Sequence, residues 1–366
     1  IANGVTINFV DEDSAFPYDG TISIIVDKAT GAKFEANLAG AGGINNGATI
    51  VNLYGTIGDF TVIAKEVNIH GVVTGTLNAT TWGNTLNIKQ GAVVKDLNII
   101  EGYADIAGSV TGNLVVNATT AVEVVITYGA VNVANINAGS NGKILWRVAN
   151  TTELRSVLAY PAAYNRGVVM AADCYYNAGT PGAGGNIDQQ SAFIIAKSDA
   201  EQAIRDYTGY IFDGGGHTLS GSATNQVLIC YTNDAIIRNV VITSNGLNMN
   251  GLTIHRSTGV KLNNVSSINN GKAGVIINTS EVIANKLSTS GNGWGGVNVD
   301  SKNIANAKFD FSDGTSTFAE KAKVWVDNVS AAMHTVTVPA GWTFSVNVRG
   351  QEMYHPIGEI SPGAIV

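Results

Sequence analysis

The chain has 366 residues, a formal net charge of −7, 43 Gly, 6 Pro, 2 Cys and only 13% charged side chains, against about 25% in an average domain. This composition excludes a phosphate-backbone binder, because there is no basic patch, and residues 1–146 hold six lysines, no arginine and twelve acids. No apolar run reaches the length of a membrane-spanning helix, and 45% apolar residues are too many for a disordered chain.

Frequent Val, Ile, Thr, Asn and Gly predict short strands joined by sharp turns. In chain order, residues 1–40 lack any repeat and are expected to cap an open sheet edge. They contain Asp11-Glu12-Asp13, a local acidic run that reads as a solvated turn or as a calcium site. No other cofactor is expected. Because the sequence opens at Ile1 and not at Met, it reads as a processed or excised segment.

Residues 41–145 repeat every 18–20 residues. Ile69, Ile88 and Ile106 mark the period, with spacings of 19 and 18, and Val124-Val125-Ile126 continues it. Residues 146–212 break the period and are expected to form an insertion of loops and short helices. Asn150-Thr151-Thr152-Glu153 and Ser198-Asp199-Ala200-Glu201 each have a helix N-cap residue with Glu three places on. Between them, Gly179-Thr180-Pro181-Gly182-Ala183-Gly184-Gly185 is a loop.

Residues 213–330 repeat every 22–25 residues. Apolar runs at 227–229, 252–254, 275–277 and 297–299 recur, and Val240, Val265, Leu287 and Phe309 mark successive units. Asn270-Gly271-Lys272-Ala273-Gly274-Val275 returns as Asn292-Gly293-Trp294-Gly295-Gly296-Val297. The repetition is expected at a coil corner, where Asn and Gly supply positive φ with least strain. Asn239, Asn264 and Asn328 each precede an apolar residue of the repeat and predict a ladder of stacked amides. Residues 331–366 predict a C-terminal hairpin cap, with 334–338 and 342–348 joined at Pro339-Ala340-Gly341.

A period near 20 residues built from three-residue strands predicts an all-β chain folded as a parallel β-solenoid. One repeat is one coil, and its apolar face is covered only when neighbours stack on it.

The phrase Phe212-Asp213-Gly214-Gly215-Gly216-His217, with Ile237-Arg238-Asn239-Val240 and the Asn-Gly-x-x-Gly-Val corners, resembles right-handed parallel β-helix proteins of the bacterial surface. The resemblance covers residues 205–330, and residues 45–145 by period alone. It implies a right-handed parallel β-helix with a loop and short-helix insertion and terminal caps. It also implies an extracellular address at the cell surface. That group includes pectate lyases and polygalacturonases, and non-catalytic adhesins and surface-layer proteins. The coils with an aromatic-bearing insertion are similar to tāpirins, the cellulose-binding surface adhesins.

The residues themselves give little support to an enzyme. Glycoside hydrolysis needs two placed carboxylates, and the chain has no Asp-Asp pair, no Gly-His-Gly and no Arg-x-Lys at His255-Arg256. Asp300 and Asp327, which follow equivalent strands, are the best-placed acids. No catalytic residue and no metal ligand is assigned. Cys174 and Cys230 form no CxxC and read as buried thiols, with a disulfide as the alternative.

Tyr160, Tyr164, Tyr175, Tyr176, Tyr207 and Tyr210 are half of the chain's tyrosines, and they crowd 51 residues behind Trp146. Such rings stack on the C–H face of a sugar. With so few charges, they predict an uncharged polysaccharide, cellulose foremost, as the partner. The other reading makes them the small core of the insertion. Trp294 takes the slot of Lys272 one coil on and should face outward, as a sugar plate or as cover for a neighbouring loop. Three functions follow: a polysaccharide-binding adhesin, a β-helical lyase or hydrolase, or a structural surface-layer segment.

Overall fold

The computed structural model describes residues 6–10, 21–37, 50–117, 122–139, 141–158, 160, 165–175, 191–193, 208–221, 226–230, 232–244, 248–300, 307–327, 333–347 and 349–359. Strands hold 63% of the residues and helices 5%, so the chain is all-β, and many of its strands run parallel. It divides into two compact units, Ile1–Arg147 with Ala163–Asn165, and Val148–Ala162 with Arg166–Val366.

In the first unit, equivalent positions of successive repeats lie opposite one another in parallel register. Leu53 faces Ile69, then Ile88, Ile106, Ile126 and Trp146 in turn. All six side chains are fully buried. A second column runs Phe60, Leu77, Leu97, Leu114, Ile136. Neighbouring strands are about 4.8 Å apart, so each apolar side chain sits between its counterparts above and below. Many of the alternate residues are polar and stack in the same register: Asn87 Nδ2 donates to Asn68 Oδ1 at 3.0 Å. The repeat length is therefore the chain length needed to return to the same column. Residues 1–40, expected as a cap, carry the strands Thr6–Val10 and Thr21–Asn37. These pair in parallel with each other, and the second also pairs in parallel with the strand Ile50–Ala64.

The second unit has two such sets. In one, Val227, Leu252, Val275, Val297 and Val324 form a column beside Ile229, Ile254, Ile277, Val299 and Val326. In the other, Val240, Val265 and Leu287 are aligned. Phe309 departs from the sequence expectation. It faces Val282, not Leu287, and continues to Val336. The longer connection before it shifts the frame, and the large ring fills the column that begins at Val260.

The repeated corner phrase has a different cause from the one expected. Positive φ falls at Asn239 (52°), Asn264 (57°) and Lys286 (56°), and at Asn269 (52°) with its equivalent Gly291 (68°). Asn270 and Asn292 are instead buried side chains. Asn270 Nδ2 donates to Asn292 Oδ1 at 2.7 Å, and Asn292 Nδ2 donates to Glu320 Oε1 at 2.6 Å and Ser267 O at 3.0 Å. Asn270 Oδ1 accepts from the Ser244 amide at 2.6 Å. A buried amide must be bonded on both sides, and this ladder does so. Gly274 gives it room, since a Cβ there would lie 2.6 Å from Asn292 Nδ2. The amide ladder read at Asn239 and Asn264 is present, at 3.0 Å, while Asn328 lies outside the described residues.

The helix Thr151–Leu158 starts where its capping residues predict. The Glu153 amide donates to Asn150 Oδ1 at 3.0 Å, and Glu153 carboxylate oxygens accept from Asn150 Nδ2 and the Ala149 amide, both at 2.7 Å. The second expected helix start, Ser198–Glu201 by number 198–201, and the loop 179–185 lie outside the described residues.

The C-terminal hairpin is one strand later than expected. The strand His334–Thr337 joins Ala307–Asp310 in parallel. The hairpin is made by Trp342–Val346 and Glu352–Pro356, and the latter also pairs antiparallel with Val324–Asp327. Trp342 packs edge-on against Phe311 and Phe318, with centroids 5.0 and 5.8 Å away. Asn347 Oδ1 closes the turn by accepting the Arg349 and Gln351 amides, both at 3.0 Å.

Candidate functional site

The structure separates the aromatic residues that sequence spacing groups. Trp146 and Tyr210 are buried, at 0% and 1% exposure, and present no ring to a ligand. Trp146 is the sixth member of the column Leu53, Ile69, Ile88, Ile106, Ile126, so it belongs to the core of the first unit. Its spacing of 20 residues from Ile126 is a signal for that place. Tyr210 leads into the buried strand Ile211–Asp213, and its carbonyl accepts the Ile236 amide at 2.8 Å. Tyr160 is half-buried just past the helix Thr151–Leu158. Tyr164, Tyr176 and Tyr207 lie outside the described residues, as do Asp11, Glu12 and Asp13.

Tyr175 and Trp294 are exposed, at 49% and 40%. The Tyr175 backbone is pinned to the first residue of the helix. Its amide donates to Thr151 Oγ1 at 3.0 Å, and Thr151 Oγ1 donates to its carbonyl at 2.6 Å. The ring is therefore held in solvent by a fixed backbone. Trp294 stands one rung from Lys272, whose ammonium lies over the ring, 5.0 Å from its centroid. That cation–π contact occupies one face of a ring that remains part-exposed. Two outward rings of the first unit were missed, Tyr54 and Tyr103, at 38% and 43% exposure. Tyr54 stacks on His70 at 4.6 Å with planes 12° apart. Their place beside Leu53 and Ile69 in an alternating strand is the signal that reveals them.

Asp105 and Asp213 are engaged in structure. Asp105 takes a bidentate pair from Arg147, at 2.7 and 2.8 Å. Asp213 accepts from Arg238 Nε at 2.6 Å, from the Gly215 amide at 2.9 Å and from Asn239 Nδ2 at 3.3 Å. The Asp-Gly-Gly-Gly phrase thus makes a turn and ties it to the neighbouring parallel strand Ile236–Thr243. Asp300 and Asp327 lie opposite each other on adjacent strands, and Asp327 accepts from Gln351 Nε2 at 3.3 Å. Among the described residues, no three His, Cys, Asp or Glu side chains gather as a metal site.

Cys174 is buried, and its thiol is pushed up to about 11 by desolvation first and by Asp173 and Glu153 second. A group raised this far stays protonated at neutral pH and is a poor nucleophile. Iodoacetamide at pH 8 is expected to modify Cys174 about a hundredfold more slowly in the native chain than in urea, as peptide mapping by mass spectrometry would show. Equal rates would contradict the burial. Nothing is described of the Cys230 side chain.

No protein-family model, curated protein or solved structure matches this chain. The class that the fold itself defines is an all-β protein of stacked parallel strands.

Proposed function

We propose that each unit is a right-handed parallel β-helix, and that the chain is a non-catalytic bacterial cell-surface adhesin for an insoluble plant polysaccharide such as cellulose. The observation that carries this reading is the pair of exposed rings at Tyr175 and Trp294, whose backbone amides donate to Thr151 Oγ1 and to Lys272 O. A pyranose has an apolar C–H face, and burying it on a ring removes apolar area from water on both partners. The tāpirin-like comparison belongs to this proposal. So does an uncharged target, since a charged polymer would require basic side chains that the chain does not concentrate.

Retention of the chain on insoluble cellulose is the direct test. Tyr175→Ala with Trp294→Ala is expected to weaken retention about tenfold, with each ring contributing on the order of 1 kcal/mol. Melting should barely move, because both rings are already in solvent. Retention should be nearly unchanged by added salt, since no ion pair is involved. Full retention by the double variant would sink the aromatic reading. No retention on any glycan would favour the structural surface-layer reading.

One observation favours a second reading, a β-helical lyase or hydrolase: Asp300 and Asp327 stand one strand apart. That spacing is of the order of the 5–5.5 Å between carboxylates in retaining glycosidases. An unsaturated uronide absorbing near ~235 nm, or new reducing ends lost on Asp300→Asn, would replace the adhesin with the enzyme.

A further inference from the structure

One outward column of the first unit holds Thr61, Asn78, Asn98, Val115 and Asn137, one residue per strand. Its first three members are joined: Asn78 Nδ2 donates to Thr61 Oγ1 at 3.3 Å and Asn98 Nδ2 to Asn78 Oδ1 at 2.8 Å. A ladder of this kind uses one donor and one acceptor at each step. Val115 offers neither. Asn98 Oδ1 is left at the end of the run, and the Asn137 amide beyond the break has no hydrogen bond among the described residues.

A cleft of ≈ 400 Å³ opens over this break. Asn98, Asn113, Asn135 and Asn137 line it around the part-exposed side chain of Val115, while the Ile136 side chain is buried in the core column. The volume lies at the small end of ligand pockets, about 300–1,000 Å³. Asn135 ends the short helix Val133–Asn135, whose start is capped by Asn132 Oδ1 accepting the Ala134 amide at 3.0 Å, so the rim is held in place.

The charge of the site selects the ligand class. Among the described residues the lining has one carboxylate, Asp96, and no cationic side chain. Asp96 Oδ1 already accepts the Asn113 amide at 2.8 Å and Asn113 Nδ2 at 3.4 Å. Gly112 permits that approach, because a Cβ there would lie 2.4 Å from Oδ1. Asp59 caps the Thr76 amide in the same way at 2.8 Å, which makes this a structural device of the fold. A calcium ion needs several free oxygen ligands, and an anion needs a cation. Neither requirement is met. An amide presents a donor and an acceptor side by side, the arrangement that two adjacent hydroxyls match.

We propose that this cleft is a saccharide-binding site for a short, uncharged stretch of glycan. The C–H face of one ring rests on Val115, and its hydroxyls exchange hydrogen bonds with Asn98, Asn135 and Asn137. The proposal shares with the adhesin reading the choice of a neutral glycan, and shares none of its residues.

Microcalorimetric titration of the full chain with cellotriose, xylotriose and mannotriose tests it. At least one is expected to bind. Asn135→Ala with Asn137→Ala should weaken that binding tenfold or more, and the melting point should hold, since neither side chain has a partner to lose among the described residues. Val115→Asn is the sharper variant. It completes the ladder, engages Asn98 Oδ1 and removes the apolar floor, so it should abolish binding in a chain at least as stable as the parent. No binding of any trisaccharide to the parent, or binding that survives both variants, overturns the proposal. Retention on insoluble cellulose, measured on the same proteins, reads the adhesin separately. Retention without trisaccharide binding sinks the cleft alone. Trisaccharide binding without retention sinks the adhesin and leaves the cleft standing.

Discussion

Val265→Asp is expected to unfold much of the second unit. Val265 has no solvent exposure and lies between Val240 and Leu287 in register. The change removes a buried apolar side chain, worth about 1.5–3 kcal/mol. It also buries a carboxyl group with no partner, at a further cost of about 1–3 kcal/mol or more. Together these reach about 4 kcal/mol, against a total of about 5–15 kcal/mol for a folded domain. Val265 is held by the strands on either side of it, so a break at this position is felt by both. Urea unfolding followed by circular dichroism measures the loss, and a variant within about 1 kcal/mol of the parent would refute the register. The sign with pH follows from desolvation. The new carboxyl has a folded-state pKa raised above its unfolded value, so relative to the parent the loss is smallest below the unfolded pKa. It grows as pH rises toward the folded pKa.

Trp146→Ala is expected to cost the first unit about 3–5 kcal/mol, the usual range for deleting a buried aromatic. Trp146 closes the column that begins at Leu53 and is fully buried. The melting point of that unit should fall by roughly 6–15 °C. Below that temperature, retention on cellulose should equal the parent's. Trp146→Phe should recover much of the loss. The opposite pattern, normal melting with weakened retention, would return Trp146 to the binding surface. Tyr175→Ala is the natural control, since its ring is exposed and the same deletion there should spare stability.

The columns were legible because a stacked strand must place like residues at like positions. Ile69, Ile88 and Ile106 are spaced as they pair, and Val265 meets Leu287 as their 22-residue separation predicts. The helix start at Asn150 was legible for a local reason, since its two reciprocal hydrogen bonds join residues three apart. The frame slip at Phe309 and the displaced hairpin were not legible. Both depend on connection lengths, and a longer connection changes which apolar residue meets the column without changing any local pattern.

The sequence by itself determined the strand-rich class, the repeat and most of the core, because hydrophobic spacing and turn chemistry are local properties of the chain. Which aromatic rings face solvent was decided only by the tertiary structure. Trp146 and Tyr175 stand in the same stretch and have similar chemistry, yet one occupies a column position and the other a strand end beside a helix. The cleft over Val115 was hidden for the same reason. Asn98, Val115 and Asn137 become neighbours only when three strands pair in register, and a valine breaks an amide ladder only once the amides are aligned.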